Sequence, residues 1–129
     1  MRTLDLKARK KKILVVDDEP TTVRVVQEML EANQYEVVTA LSGEEGMYHA
    51  LRDKPDLILL DILMPGIDGF EVLCRLKGNE KTKDVPVVML TAKGETSSIF
   101  KAKEYWASDY LIKPFVVEDL LSVVDKHAF

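Results

Sequence analysis

The chain has 129 residues, of which 47% are hydrophobic, 31% are charged and one is cysteine. That length suits one compact domain able to bury roughly two thirds of its unfolded surface, and it excludes low-complexity, collagen-like and disulfide-framework classes. No apolar run approaches the ~20 residues of a membrane span and no apolar signal-peptide core stands near Met1, so the expected location is cytoplasmic; Cys74, with no second cysteine to pair with, is compatible with a reducing compartment.

The net charge of −4 hides a division. Residues 1–12 hold Arg2, Lys7, Arg9, Lys10, Lys11 and Lys12 against Asp5, a net of +5, which leaves −9 on the other 117 residues. A body of that sign is not built to wrap nucleic acid. Residues 1–10 read as a basic leader and residues 11–129 as the folded domain. The leader could touch an anionic partner, but a solvated, solubilising tail is the simpler reading.

Along the chain, apolar residues arrive as short β-branched bursts separated by helical stripes. Ile13-Leu14-Val15-Val16 is the first burst and runs into Asp17, Asp18 and Glu19; Val23, Val26 and Leu30 then fall at helical spacing. Glu36-Val37-Val38-Thr39 is the second burst, followed by the stripe Met47, Ala50 and Leu51. Leu57-Ile58-Leu59-Leu60 ends on Asp61, and Val72, Leu73 and Leu76 follow. Val85 to Leu90 leads to Thr91, after which Glu95 to Tyr105 predicts a helix that is polar at its start. Tyr110-Leu111-Ile112 precedes Lys113, and Val117, Leu120, Leu121 and Val124 form the last stripe.

Continuous apolar bursts suit strands buried on both faces, and five β-α alternations imply an α/β fold: a three-layer, doubly wound, parallel sheet. In such sheets ligands sit outside the carboxyl ends of the strands, where the strand order reverses. Four strand exits carry chemistry: Asp17 with Asp18, Asp61, Thr91, and Lys113. If the first and third strands are neighbours, three carboxylates meet, and two of them about 4 Å apart repel by roughly 4 kcal/mol at an effective dielectric of 20. One lysine cannot neutralise three acids. A hard divalent cation can, and an all-oxygen cluster suits Mg²⁺. A carboxylate in such a site can also act as a nucleophile toward phosphorus, with Lys113 and Thr91 contacting phosphoryl oxygens. Taken singly, each residue has an ordinary reading, as a turn or cap acid, a strand-end threonine or a surface lysine. Their convergence favours the metal and phosphoryl site.

These residues resemble the receiver domains of bacterial two-component response regulators, of the single-domain chemotaxis type. The resemblance covers residues 11 to 126 and rests on Val15-Val16-Asp17-Asp18-Glu19-Pro20, Asp61-Ile62-Leu63-Met64-Pro65-Gly66-Ile67-Asp68-Gly69, Leu90-Thr91-Ala92 and Asp109-Tyr110-Leu111-Ile112-Lys113-Pro114-Phe115. It implies a flavodoxin-like five-stranded sheet of order 2-1-3-4-5. It further implies that Asp61 accepts a phosphoryl group from a histidine kinase or a histidine phosphotransfer protein. Asp18, Asp61, the Leu63 backbone carbonyl and Asp17 would hold Mg²⁺, and Lys113 and Thr91 would contact the phosphoryl group. By the same resemblance the Lys113-Pro114 bond is cis, the X-Pro bond being the one type in which that form is cheap. Gly66 and Gly69 relieve the tight loop after Asp61 or serve as ordinary turn residues. Phosphorylation would draw Thr91 inward and let Tyr110 move behind it, repacking the face made by the 95–105 helix and the fifth strand for an unknown downstream protein. The alternative for Tyr110 is a half-buried strand aromatic with no signalling part.

The chain departs from the family pattern at two places. Trp106 stands where glycine is usual, as a partner anchor or as a locally repacked cap, and Val116 stands where a polar helix cap is frequent. Leu63 and Lys93 occupy positions that in the family influence how long the phosphoryl group lasts. Cys74 reads as a bystander, and His49 and His127 as surface residues on helices away from the site.

Other functions fit less well. A Mg²⁺-dependent aspartyl-phosphate phosphatase would carry Asp-x-Asp on its first strand, and a flavin carrier would need a Ser/Thr/Gly-rich loop there; no nucleotide-binding P-loop occurs. A receiver-like interaction module acting without phosphorylation remains as the alternative. The expected activity is self-phosphorylation and self-dephosphorylation, without turnover of a separate substrate.

Overall fold

A computed structural model of the protein describes residues 9–92 and 107–128. The expectations placed on residues 1–8, on Lys93, on the 95–105 helix and on Trp106 lie outside the described residues. Within them the elements run β1 (Lys12–Val16), α1 (Pro20–Glu31), β2 (Glu36–Ala40), α2 (Gly43–Asp53), β3 (Leu57–Asp61), α3 (Gly69–Lys77), β4 (Val87–Ala92), β5 (Asp109–Lys113) and α4 (Val117–His127). The five strands form one sheet of order β2-β1-β3-β4-β5, every pairing parallel. Both the flavodoxin-like order and the adjacency of the first and third strands are as the sequence implies.

The sheet divides the core in two because successive side chains along a strand point to opposite faces. Leu14, Val16, Ile58, Leu60 and Met89 pack with Ala50 of α2 and with Val72, Leu73 and Leu76 of α3. Ile13, Val15, Leu57, Leu59 and Val88 pack with Val23, Val26 and Leu30 of α1 and with Leu120 and Val124 of α4. Every residue of β3 is buried. Each such aliphatic side chain contributes about 1.5–3 kcal/mol on leaving water, so the continuous bursts mark the sheet interior.

Local signals set the helix starts. Pro20 occupies the first turn of α1, where its missing N–H costs nothing. Ser42 Oγ accepts from Glu45 N at 3.1 Å while Glu45 Oε1 accepts from Leu41 N at 2.6 Å, a reciprocal cap that starts α2. Asp68 caps α3 by accepting from Glu71 N at 3.0 Å. Val116 leaves α4 without a side-chain cap, as its apolar character predicts.

Three details differ from the sequence reading. Leu51 is exposed, and the inner face of α2 is made by Gly43, Gly46 and Ala50, with Met47 half-buried. An added Cβ at Gly46 would lie 2.9 Å from a Val16 methyl, so α2 approaches β1 more closely than a larger stripe allows. β4 begins at Val87 because the Val85 N–H is spent on the turn carbonyl of Thr82 at 3.0 Å. His49 and His127 are half-buried rather than free at the surface. His49 Nδ1 lies 2.7 Å from Asp53 Oδ2, and His127 Nε2 lies 3.0 Å from Asp109 Oδ2. Cys74 is exposed.

Candidate functional site

The carboxyl ends of β1, β3, β4 and β5 meet on one edge. Asp17 is the first residue beyond β1; its N–H continues the ladder to Ala40 O at 3.1 Å and its side chain is wholly buried. Two neighbours hold that carboxylate: Oδ1 accepts from Glu19 N at 3.0 Å, and Oδ2 accepts from Lys113 Nζ at 2.7 Å. Asp18 follows, half-buried. Asp61 closes β3, opposite Leu90 of β4, and is 7% exposed. Lys113 closes β5 and reaches back past β4, placing Nζ 3.5 Å from Asp61 Oδ1 as well. Oxygen atoms of Asp17, Asp18 and Asp61 all lie within 4.8 Å of one another.

Two glycines shape the loop after Asp61. Gly66 sits at φ +78°, a left-handed conformation that a Cβ disfavours. Gly69 opens α3, where an added Cβ would fall 2.2 Å from Asp61 O, and its N–H donates to Ile62 O at 2.8 Å. The amino end of α3 is thereby pressed against the phosphoacceptor candidate's own backbone. Turn residues were expected here; the close approach at Gly69 is the additional constraint.

The charge balance at this edge is unfavourable. Burial, and then the neighbouring Asp17, push the Asp61 carboxyl up to about 7 against the pull of Lys113, with Asp18 adding to the rise. Burial works to lower the Lys113 ammonium, but its bond to Asp17 and the charges of Asp61 and Asp17 outweigh this and raise it. Among the described residues the edge holds three acids and one cation, with oxygen donors only and Asp18 half-buried at its open side: the donor set fits a hard divalent cation such as Mg²⁺ better than a second lysine or a soft metal. An open cleft of about 330 Å³ adjoins the cluster, lined among others by Asp18, Glu19, Asp61, Leu63 and Lys113. Leu63 is 60% exposed at its mouth.

Thr91 is 1% exposed, and among the described residues its hydroxyl makes a single long bond, to Ala92 O at 3.4 Å. Met89 pairs with Tyr110 and Thr91 pairs with Ile112. With the side-chain period of two, Thr91 and Tyr110 are therefore diagonal neighbours on one face of the sheet. Tyr110 packs, half-buried, against the core shared with α2 and α3. The Lys113-Pro114 peptide is cis. Each predicted site residue is thus at the expected edge, with Tyr110 one step behind it. The Lys113–Asp17 bond was not foreseen: the sequence pairs Lys113 with the phosphoryl group alone.

Comparison with known proteins agrees with this geometry. The family model for the response regulator receiver domain matches residues 13–125. The chain is 42% identical over 113 residues to the DNA-binding dual master transcriptional regulator RpaA of Synechocystis sp., covering 88% of this chain and 47% of that protein. It is 44% identical over 110 residues to the response regulator PleD of Caulobacter vibrioides, covering 85% of this chain and 24% of PleD. The chain therefore spans about half or less of the length of these curated relatives. Among solved structures, the chemotaxis protein CheY4 of Vibrio cholerae superposes with a TM-score of 0.87 at 31% identity, covering 92% of this chain and 99% of that one.

Proposed function

The chain belongs to the response regulator receiver domain family of two-component signalling, and on that premise we propose that Asp61 is its phosphoacceptor in a Mg²⁺-dependent phosphorelay. The observation that carries this reading is the meeting of Asp17, Asp18 and Asp61 within 4.8 Å beside one cation among the described residues, Lys113. The donor would be a phosphohistidine on a histidine kinase or a histidine phosphotransfer protein. The N–P bond breaks, a bond forms from Asp61 to phosphorus, and the departing imidazole takes up a proton. Mg²⁺, held by the carboxylates of Asp17, Asp18 and Asp61 and by the Leu63 carbonyl, would neutralise charge on the phosphoryl oxygens.

The chain's own residues supply the rest. Asp61 closes a wholly buried strand, so its backbone is held in place for the attack. Lys113 holds Asp17 in place and presents its ammonium toward the transferred group. Thr91, with only a weak intramolecular bond to give up, turns its hydroxyl to a phosphoryl oxygen, and the vacated space lets Tyr110 move inward. The output is a changed surface around β5 for a downstream protein. No separate substrate is turned over; the domain catalyses only its own phosphorylation and dephosphorylation.

Incubation with acetyl phosphate, with and without Mg²⁺, followed by intact-mass measurement tests the assignment. The expected result is a Mg²⁺-dependent gain of one phosphoryl group that Asp61→Asn abolishes. The same gain in that variant would overturn the choice of Asp61.

A further inference from the structure

We propose that the Asp109–His127 pair is a pH-sensitive clasp that sets how tightly the amino end of β5, and with it Tyr110, is held to the last turn of α4. Asp109 is the first residue of β5, and its carboxylate serves two partners. Oδ1 accepts from the Tyr110 N–H at 2.9 Å, and Oδ2 lies 3.0 Å from His127 Nε2. One side chain thus joins the backbone of Tyr110 to a helix that begins beyond the far end of the strand. The helix end is itself anchored: Ala128 is buried and its N–H donates to Val124 O at 2.8 Å, and Asp125 accepts from the Tyr35 hydroxyl just before β2. The strand is the looser partner, because among the described residues its only neighbour in the sheet is β4. With 18% of the His127 side chain and 26% of the Asp109 side chain exposed, water screens this pair less than it screens a surface pair.

One member of the pair changes charge near neutral pH. Burial works against ionisation of Asp109, but its bonds to His127 and to the Tyr110 N–H, with the charges of His127 and Lys126, outweigh this and lower its carboxyl below the ordinary range. Asp109 is therefore a carboxylate throughout the interval between pH 5 and 8, in which an imidazole is the side chain that titrates. The remaining charges around α4 have other partners or face solvent. Lys12, at the start of β1, is engaged with Glu36 and with Asp53 O, and Lys113, at the other end of β5, with Asp17 and Asp61. On α1, Glu31 accepts from Gln27, and Arg24 and Glu28 are exposed; β4 carries no charged residue. With the imidazole protonated, the contact is a charge-assisted bond, about twice as strong as the bond a neutral imidazole makes. The amino end of β5 accordingly tightens in acid and loosens as pH rises toward 8, whichever residue accepts a phosphoryl group.

The test is NMR of the full chain between about pH 5.5 and about pH 8. The expected result is one midpoint shared by the His127 ring resonances and the Tyr110 amide. Protection of the Tyr110 and Leu111 amides against deuterium exchange, corrected for the intrinsic pH dependence of exchange, should be about two- to fivefold greater at the acid end. Because the Asp61 carboxyl titrates in the same interval, both measurements are repeated in Asp61→Asn, where both features should remain. His127→Gln keeps a donor that cannot change charge and is expected to abolish both; Asp109→Asn serves as the second variant should the first fail to fold. Separate midpoints, equal protection at the two ends, greater protection at the alkaline end, or a pH dependence in Asp61→Asn that survives the added His127→Gln would each overturn the proposal. Acetyl phosphate labelling of Asp61 is a separate measurement, so failure of the clasp and failure of the acceptor assignment are distinguishable.

Discussion

Lys113 Nζ donates to Asp17 Oδ2 at 2.7 Å, a bond that spans 96 residues of sequence and joins the last strand to the first across two others. The ammonium is farther from Asp61, at 3.5 Å. In this structure the lysine is thus chiefly the counterion of a wholly buried acid, and only secondarily a neighbour of Asp61.

Removing that lysine leaves Asp17 buried without a cation. Lys113→Ala is expected to destabilise the metal-free domain by about 2–3 kcal/mol, below the 3–5 kcal/mol typical of a fully buried broken pair because Lys113 is partly exposed. Urea unfolding in chelator measures this, and millimolar Mg²⁺ is expected to recover part of the loss. A variant as stable as the parent in chelator would show that Asp17 is compensated elsewhere.

The raised Asp61 carboxyl makes metal-free stability depend on pH. Its folded value of about 7 lies above the ordinary 3.8, so between these values the folded state holds a proton that the unfolded chain has released. Stability therefore falls as pH rises from about 4 to about 7 and levels off above. Asp61→Asn is expected to flatten this slope and to stabilise the metal-free protein at pH 8 by about 1–3 kcal/mol. Melting temperatures from pH 4.5 to 8 decide it, and a parallel pair of curves would remove the repulsion argument.

Mg²⁺ should act in the opposite sense. Because it binds the ionised cluster, its stabilisation is expected to be small near pH 5 and largest near pH 8. Asp61→Asn and Asp17→Asn should each weaken it. Calorimetric titration at the two pH values checks the order; stronger binding at pH 5 would contradict the cluster as the site.

Thr91→Ala is expected to cost less than about 1 kcal/mol, since the hydroxyl bond it removes is 3.4 Å long. Phosphoryl uptake from acetyl phosphate should persist, while the change in the Tyr110 ring resonances on phosphorylation disappears. If the Tyr110 resonances still shift in the variant, the two residues are not coupled.

Gly69→Ala tests the loop. A Cβ placed 2.2 Å from Asp61 O must displace either the strand end or the start of α3, with an expected loss of about 2–4 kcal/mol and slower phosphorylation. Gly66→Ala, strained only by its positive φ, should cost about 1 kcal/mol.

Much of this architecture was legible because buried parallel strands write themselves as uninterrupted aliphatic runs, and because acids and a lysine at run ends have few reasons to recur together. Strand order came from resemblance; no periodicity distinguishes one parallel neighbour from another. The exposure of Leu51 was hidden because Gly43 and Gly46 carry no hydrophobic signal, although they are what α2 turns inward. The pairs His49–Asp53 and His127–Asp109 were hidden for different reasons: the first is a four-residue helix spacing that also suits a solvated face, and the second joins positions 18 residues apart. Lys113–Asp17 needed the sheet to exist before it could be seen.

Asp61 and Tyr110, the proposed acceptor and its proposed readout, occupy strands of unequal stiffness. β3 is flanked on both sides and buried throughout, whereas β5, among the described residues, is paired with β4 alone and has one buried residue, Leu111. Amide hydrogens of Ile58 to Leu60 should be among the last to exchange with deuterium, opening only on global unfolding, while those of β5 exchange through smaller, cheaper openings. Such a division would let the edge carrying Tyr110 and Lys113 rearrange while the Asp61 carboxylate, the proposed acceptor, stays in register.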